Sequence, residues 1–350
     1  MNDQGVVIRE ESLPPAAEQR PHGVRFIFFG PDGLRAGWGL LLWIILFAAC
    51  FATAAVAVHL LQGLGHHPKP TPEQIRQRAI EPQPVGLFYT GEIITAFAVL
   101  FSTWVMAKIE RRPIGVYGFG GTRRAAHFAA GFVWGVVFLG LLVGVLWKAH
   151  LLALDGRLLF GWELWKYAAI WLVGFLLVAV FEEGLLRGYL QYTAARGLGN
   201  LIGLMSKTPR RPAMGFWAAA IIFSFLFGFI HKGNPGESPI GLWSAGVIGL
   251  IFCWTLWRTG SLWWALGFHA SWDWAQSFVF GVADSGMMVK GHLLGTHPVG
   301  NVLWSGGATG PEGSLLVLPV LALIAGVVAW TIPDSRSLIL HDPKDEPSRI

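Results

Sequence analysis

The chain has 350 residues, of which 53% are hydrophobic and only 13% charged, with a mean hydropathy of +0.52. Soluble domains carry about 25% charged residues, so the composition excludes an ordinary soluble domain and indicates a polytopic membrane protein. The formal net charge of +5 reads as basic loops flanking membrane spans, and no nucleic-acid partner is expected.

Residues 1–36 are polar, with a disordered tail expected over 1–24. They contain no apolar h-region near the start, so the first span, about 37–61, is expected to act as an uncleaved anchor. The loop HHPKPTPEQIRQR follows. Its His66 and His67 are read as part of a solvated loop in preference to a metal site. The second span, about 86–107, ends in the basic stop KIERRP, and the third is about 125–147. A fourth helix over about 162–196 is too long for a perpendicular crossing, so it must tilt or project beyond the bilayer. The fifth span is about 213–230, the sixth 242–257 and the seventh 261–280. The Gly-rich stretch 281–313 shows no helical period and is read as an interfacial or re-entrant loop over the protein's mouth. An eighth span, 314–332, precedes a charged tail.

The expected fold class is therefore all-α, a polytopic membrane protein with about eight transmembrane helices. Its expected organisation is a polar cytoplasmic tail (1–36), N-terminal transmembrane helices (37–160), a core (161–280), the Gly-rich loop with the last helix (281–332) and a charged tail (333–350). Eight spans put both termini on one side. The segments on that side hold 17 Lys and Arg against 8 on the other. The positive-inside rule then favours cytoplasmic termini, as in a bacterial inner or plasma membrane. The lipid bilayer is the obligatory partner, and oligomeric state is not legible. The two cysteines, Cys50 and Cys253, both lie in apolar spans and indicate no disulfide framework.

Charges inside the spans carry the functional signal. Each costs about 2.5–3.5 kcal/mol at mid-membrane and persists when paired, facing protein, or reactive. The fourth helix contains FEEGLLRGYL. Glu183 and Arg187 are four residues apart and can pair on one face, whereas Glu182 is rotated about 100° away and stays available. The fifth span ends in FLFGFIH, with Phe227 and His231 on one face. The seventh contains GFHASWDW, with His269 and Asp273 on one face. Three helices thus offer Glu182 and Glu183, His231, and His269 with Asp273 to one interior.

A carboxylate in a low-dielectric pocket is a competent general base towards water. Two imidazoles can orient that water, polarise a carbonyl or ligate a divalent metal. No GxSxG or HExxH motif occurs, and Cys253 lacks a charged neighbour that would favour a thiolate. The set suits hydrolysis by activated water better than covalent catalysis. Two other classes stay open: a proton-coupled transporter with a Glu/His relay, which the lack of an inverted repeat disfavours, and a non-catalytic membrane scaffold or immunity protein. Depth poses a problem. His231 lies about 27 Å along its helix from the inner loop and His269 about 13 Å from its own inner end, so convergence requires tilt or a late helix start.

EEGLLR has the form EExxxR, FGFIH the form FxxxH and HASWD the form HxxxN/D. In this order on successive spans, they resemble the CPBP family, which comprises CaaX endopeptidases of prenylated proteins and bacteriocin-processing and immunity proteins. The resemblance covers roughly residues 160–280. It implies an intramembrane endopeptidase acting on membrane-associated or lipidated protein or peptide substrates. Glu182 would be the base that activates water, with Glu183 and Arg187 bracing the helix. His231 and His269 would position the water or bind zinc, and Asp273 would occupy the Asn-or-Asp position. If zinc (Zn2+) is used, His231, His269, Glu183 and Asp273 are the implied ligands; the resemblance leaves metal dependence open. An Asn at the last position can donate to an oxyanion, whereas an ionised Asp cannot. Asp273 must therefore be protonated, or act through His269 or a metal.

Overall fold

A computed structural model describes residues 23–30, 33–63 and 84–333. The expectations for most of the N-terminal tail, for His66 and His67, and for the C-terminal charged tail fall outside the described residues. Six helices are long and apolar enough to cross a membrane. They are α1 (Ala36–Gly63), α2 (Val85–Glu110), α3 (Arg124–Lys148), α4 (Gly161–Met205), α5 (Arg211–Ile230) and α6 (Pro239–Thr259). The chain is an all-α polytopic membrane protein. Helix ends follow local chemistry. At the start of α6, Ser238 Oγ accepts from Gly241 N and Pro239 occupies the first turn, where its missing N–H is harmless. At its end, Gly260 takes the left-handed conformation, φ 66°, that closes the helix.

Two further helices follow. The seventh, α7 (Trp263–Trp274), continues through a wide π-type turn at Ala275–Val279, and α8 spans Val317–Thr331. The seventh thus runs to within a residue of its expected end, whereas α8, at 1.5 Å per residue, rises roughly 22 Å, less than the ~30 Å of a hydrocarbon core. The segment between them contributes Asp284, Ser285, Met287 and Glu312 to the wall of a cavity.

That segment is also more ordered than its sequence suggests. Strand β2 (Leu294–Pro298) pairs antiparallel with β1 (Leu152–Arg157) in the α3–α4 connection. The pairing escapes a local reading because the partners are distant in sequence and a register shift at Leu154/Gly156 interrupts the alternation. Trp171 Nε1 donates to Lys290 O at 2.9 Å, and Thr309 Oγ1 to Gly236 O at 2.9 Å. These bonds tie the segment to α4 and to the α5–α6 connection.

The fourth helix also departs from expectation. It reaches Met205, not residue 196, and it is broken by a wide π-type turn at Gly184–Tyr189, where Gly188 adopts φ −81°, ψ −121°. Such turns mark functional sites more often than ordinary helix does. Below the break, Glu110 holds α4 to α2. It accepts from Tyr189 Oη at 2.5 Å and lies 3.5 Å from both Arg112 and Arg196.

Close packing is achieved with small residues, as lipid-embedded helices require. A Cβ at Gly131 would sit 2.1 Å from Trp264 O, and one at Gly267 2.1 Å from Phe128 O, so α3 and α7 touch backbone to backbone. On the other side, Gly215 of α5 lies against Ala195 and Gly199 of α4. From that contact His231 is 16 residues up α5, and Glu182 is 13–17 residues back along α4. The antiparallel packing therefore brings them to one level. α5 begins far down the projecting half of α4, which resolves the depth problem for His231.

Candidate active site

The wide turn of α4 places Glu183 and Arg187 in the protein interior, each with a fully buried side chain. Arg187 Nη1 donates to Glu183 Oε1 at 3.1 Å. The guanidinium lies over the Phe227 ring, 4.2 Å from its centroid, and against Gly249, where a Cβ would be 2.2 Å from Nη2. Its Nε and Nη2 have no hydrogen-bond partner, nor has Glu183 Oε2. The ion pair is thus locked between α5 and α6, with Phe227 supplying the ring face to the cation.

His269 of α7 reaches the same carboxylate, with Nδ1 3.0 Å from Glu183 Oε1. Paired with Arg187, Glu183 is an ionised acceptor, so His269 Nδ1 carries the hydrogen and donates it. The opposite nitrogen, Nε2, is turned towards Asp273 Oδ2 at 3.4 Å and Glu182 Oε2 at 3.6 Å. Side-chain exposure is 20% for Glu182, 11% for His269 and 10% for Asp273. Glu182 is therefore the most accessible of the four and, unlike Glu183, has no arginine partner within reach in these contacts.

His231 caps α5 at the same level. Its Nδ1 is 2.7 Å from Phe227 O, a backbone acceptor, so this nitrogen donates and Nε2 lies on the opposite edge of the ring. Phe227 stands between the two imidazoles, with ring centroids 4.7 Å from His231 and 6.2 Å from His269.

Glu182, His231, His269 and Asp273 all line a cavity of about 360 Å³. Its apolar wall includes Phe88, Phe175, Val178, Ile248, Phe252 and Phe268. Glu183 and Arg187 stand behind this wall and do not line it. The structure thus brings five of the six sequence-derived candidates into mutual reach through Glu183 and His269, while His231 joins them across the cavity.

Several carboxylates escaped the sequence reading. Glu92 of α2 lines the cavity, and its Oε2 is buried without a hydrogen-bond partner. A charge in the apolar run TGEIITAF was the available signal. Asp284 and Glu312 also line the cavity. Burial, followed by the nearby Asp273 and Glu312 carboxylates, holds Asp284 well above the usual carboxylate range. Glu312 Oε1 accepts from Ser285 N at 2.5 Å and from Ser285 Oγ at 2.8 Å. In the α5–α6 connection, burial pushes Glu237 up to about 7, with Glu312 adding to the rise and the Ser238 N–H and His231 opposing it. No sequence pattern marks these loop groups, because their proximity depends on how residues 281–313 fold back.

Both Nδ1 atoms are committed, one to Glu183 and one to Phe227 O, which leaves the two Nε2 atoms as the nitrogens free to meet a ligand or water; that of His269 faces two carboxylates, Asp273 at 3.4 Å and Glu182 at 3.6 Å. Among the described residues, no group of three or more His, Cys, Asp and Glu has a geometry suited to a metal ion.

Comparison with known proteins places this constellation in context. Residues 164–275 match the family model described as Type II CAAX prenyl endopeptidase Rce1-like. No curated protein matches the chain, and no solved structure does.

Proposed function

We propose that this chain, which contains an Rce1-like domain of the CPBP family, hydrolyses peptide bonds of membrane-associated or lipidated substrates with water activated by Glu182. The observation that carries the reading is the shared orientation of Glu182 Oε2 and His269 Nε2 towards one largely apolar cavity, with His269 held from behind by Glu183. The family match supports an intramembrane endopeptidase in general terms; the assignment of roles is our own.

A water bridging Glu182 and His269 would lose a proton to Glu182 and attack the substrate carbonyl. The developing oxyanion needs a donor in a water-poor site, where each hydrogen bond counts for more than in bulk. His231, with Nδ1 already donating to Phe227 O, offers Nε2 for this purpose when protonated. Glu182 then returns its proton to the leaving amine. Asp273 does not contact the oxyanion in this scheme. It acts through His269 Nε2, 3.4 Å away, where its negative charge favours the imidazolium. Glu183 and Arg187 are positioning residues, because they reach the cavity only through His269. The aromatic wall suits an apolar side chain or a lipid chain beside the scissile bond.

The test is proteolysis of a peptide library by liposome-reconstituted protein, comparing wild type with Glu182→Gln and His269→Ala, with and without a strong zinc chelator. Cleavage by wild type and none by either variant is the expected result, with the chelator leaving the rate unchanged. Chelator-sensitive cleavage would replace the metal-free scheme with a metal-dependent one. Wild-type and variant proteins that both fail to cut, yet equally retain a cellular phenotype, would point to a scaffold.

A further inference from the structure

We infer that the cavity lies at the non-cytoplasmic end of the helix bundle, so that its substrates are polypeptide segments exposed on that side. This rests on the hydrolytic reading of the site, but the orientation itself is argued from different observations.

Every non-helical residue on the cavity wall comes from one end of the bundle. Asn234 belongs to the α5–α6 connection, and Asp284, Ser285, Met287 and Glu312 to the α7–α8 connection. Pairing of β1 with β2 fastens the α3–α4 connection to the same end, with Leu158 N donating to Leu293 O and Val299 N to Leu151 O at 2.8 Å each. Thr309 Oγ1 bonded to Gly236 O closes the set.

The other connections gather at the opposite end. Leu262 N donates to Gly118 O at 2.8 Å, which joins the α6–α7 and α2–α3 connections. Arg258 Nη1 donates to Val328 O and Ala329 O at the foot of α8. Arg196 lies within 3.5 Å of Glu110 and donates to Leu34 O at 3.3 Å, which places the start of α1 and the foot of α2 at this end too. No residue of these connections lines the cavity.

Charge distinguishes the two ends. Among the described residues, and apart from Arg187, Lys and Arg divide as 12 on the end remote from the cavity and 5 on the cavity end. KIERRP, Arg123 with Arg124, and SKTPRRP all fall on the remote end. Basic connections stay in the cytoplasm, because moving them across the membrane against the potential and through the hydrocarbon is costly. The cavity end therefore faces away from the cytoplasm. A substrate arriving there must already be outside: a secreted or anchored polypeptide, or an extracytoplasmic segment of another membrane protein.

Cysteine accessibility tests the orientation. In a Cys50→Ser/Cys253→Ser background, Lys290→Cys reports the cavity end and Lys207→Cys the remote end; both positions are exposed. Intact cells and inside-out vesicles are treated with a membrane-impermeant maleimide. Lys290→Cys should be labelled in intact cells, and Lys207→Cys only in inside-out vesicles. The reverse pattern would overturn the inference, whatever the enzyme does. A second arm adds the peptide library to the outside of proteoliposomes whose orientation has been scored with the same two cysteines. Cleavage should rise with the fraction of molecules presenting Lys290→Cys to the peptide. Cleavage that rises with the Lys207→Cys fraction would refute entry from the cavity end. The expected labelling with no cleavage from either side leaves the orientation standing and removes the protease reading.

Discussion

Glu182 and Glu183 are neighbours in sequence but face different surroundings. Glu183 is buried and bonded to Arg187 and His269, so its loss is first a structural event. Glu183→Gln strands a buried guanidinium that already has two unbonded nitrogens, at a cost of about 3–5 kcal/mol. The unfolding temperature in detergent should fall markedly, and Glu183→Gln/Arg187→Met should recover part of the loss. Glu182 has no such partner, so Glu182→Gln should unfold like wild type while the cleavage rate drops by about 10²–10⁴-fold. Glu92 is the converse case. Its orphaned oxygen makes it a liability for stability, and Glu92→Leu should stabilise the protein by about 1–3 kcal/mol. A simultaneous loss of cleavage would show that the carboxylate is retained for the substrate. Glu237 supplies a pH signature. Burial raises its folded value from 4.5 to about 7, so the folded state holds a proton that the unfolded chain releases. The stabilisation is complete below about 4.5 and is lost as pH rises towards 7. Glu237→Gln should match wild type at pH 4 and exceed its unfolding temperature at pH 8.

At the scale of elements, the wide turn in α4 and the antiparallel contact with α5 together make the site. The turn rotates Arg187 inward while Glu182 remains on the cavity wall; the long projection of α4 gives α5 a low starting point, so its last residue reaches the level of Glu182. Gly249 on α6 is the complementary feature. Gly249→Val would drive a side chain into the guanidinium that now lies 2.2 Å from the ideal Cβ position. It should lower both stability and activity, more than Gly246→Ala, whose nearest neighbour is 3.4 Å away. Paired thermal unfolding and cleavage measurements on the two variants check this. Sequence located five of the six main apolar helices, and the start of the fourth, to within a few residues, because their length and hydropathy are local properties. It did not locate the wide turn, whose residues GLLRGY carry no breaker stronger than glycine.

For the whole molecule, the two ends of the bundle differ in both charge and architecture. One is basic and tied by Glu110, Arg196 and Arg258; the other is poorer in basic residues and contributes loop residues to the wall of a cavity. The three motifs were legible as Glu182, Glu183 and Arg187, His231, and His269 with Asp273, because an ionisable group in an apolar span is conspicuous wherever it points. That much, with the membrane-spanning character of the chain, sequence alone determined. The tertiary structure decided which of these groups touch: His269 bonds Glu183 from behind and faces Glu182 and Asp273 in front. It also added Glu92, Asp284 and Glu312 to the wall and tied the Gly-rich segment to β1, α4 and the α5–α6 connection. Burial cost and helical period are set by residues near one another in the chain. The shape of a cavity is set by contacts between segments far apart, and nothing in the local sequence fixes those.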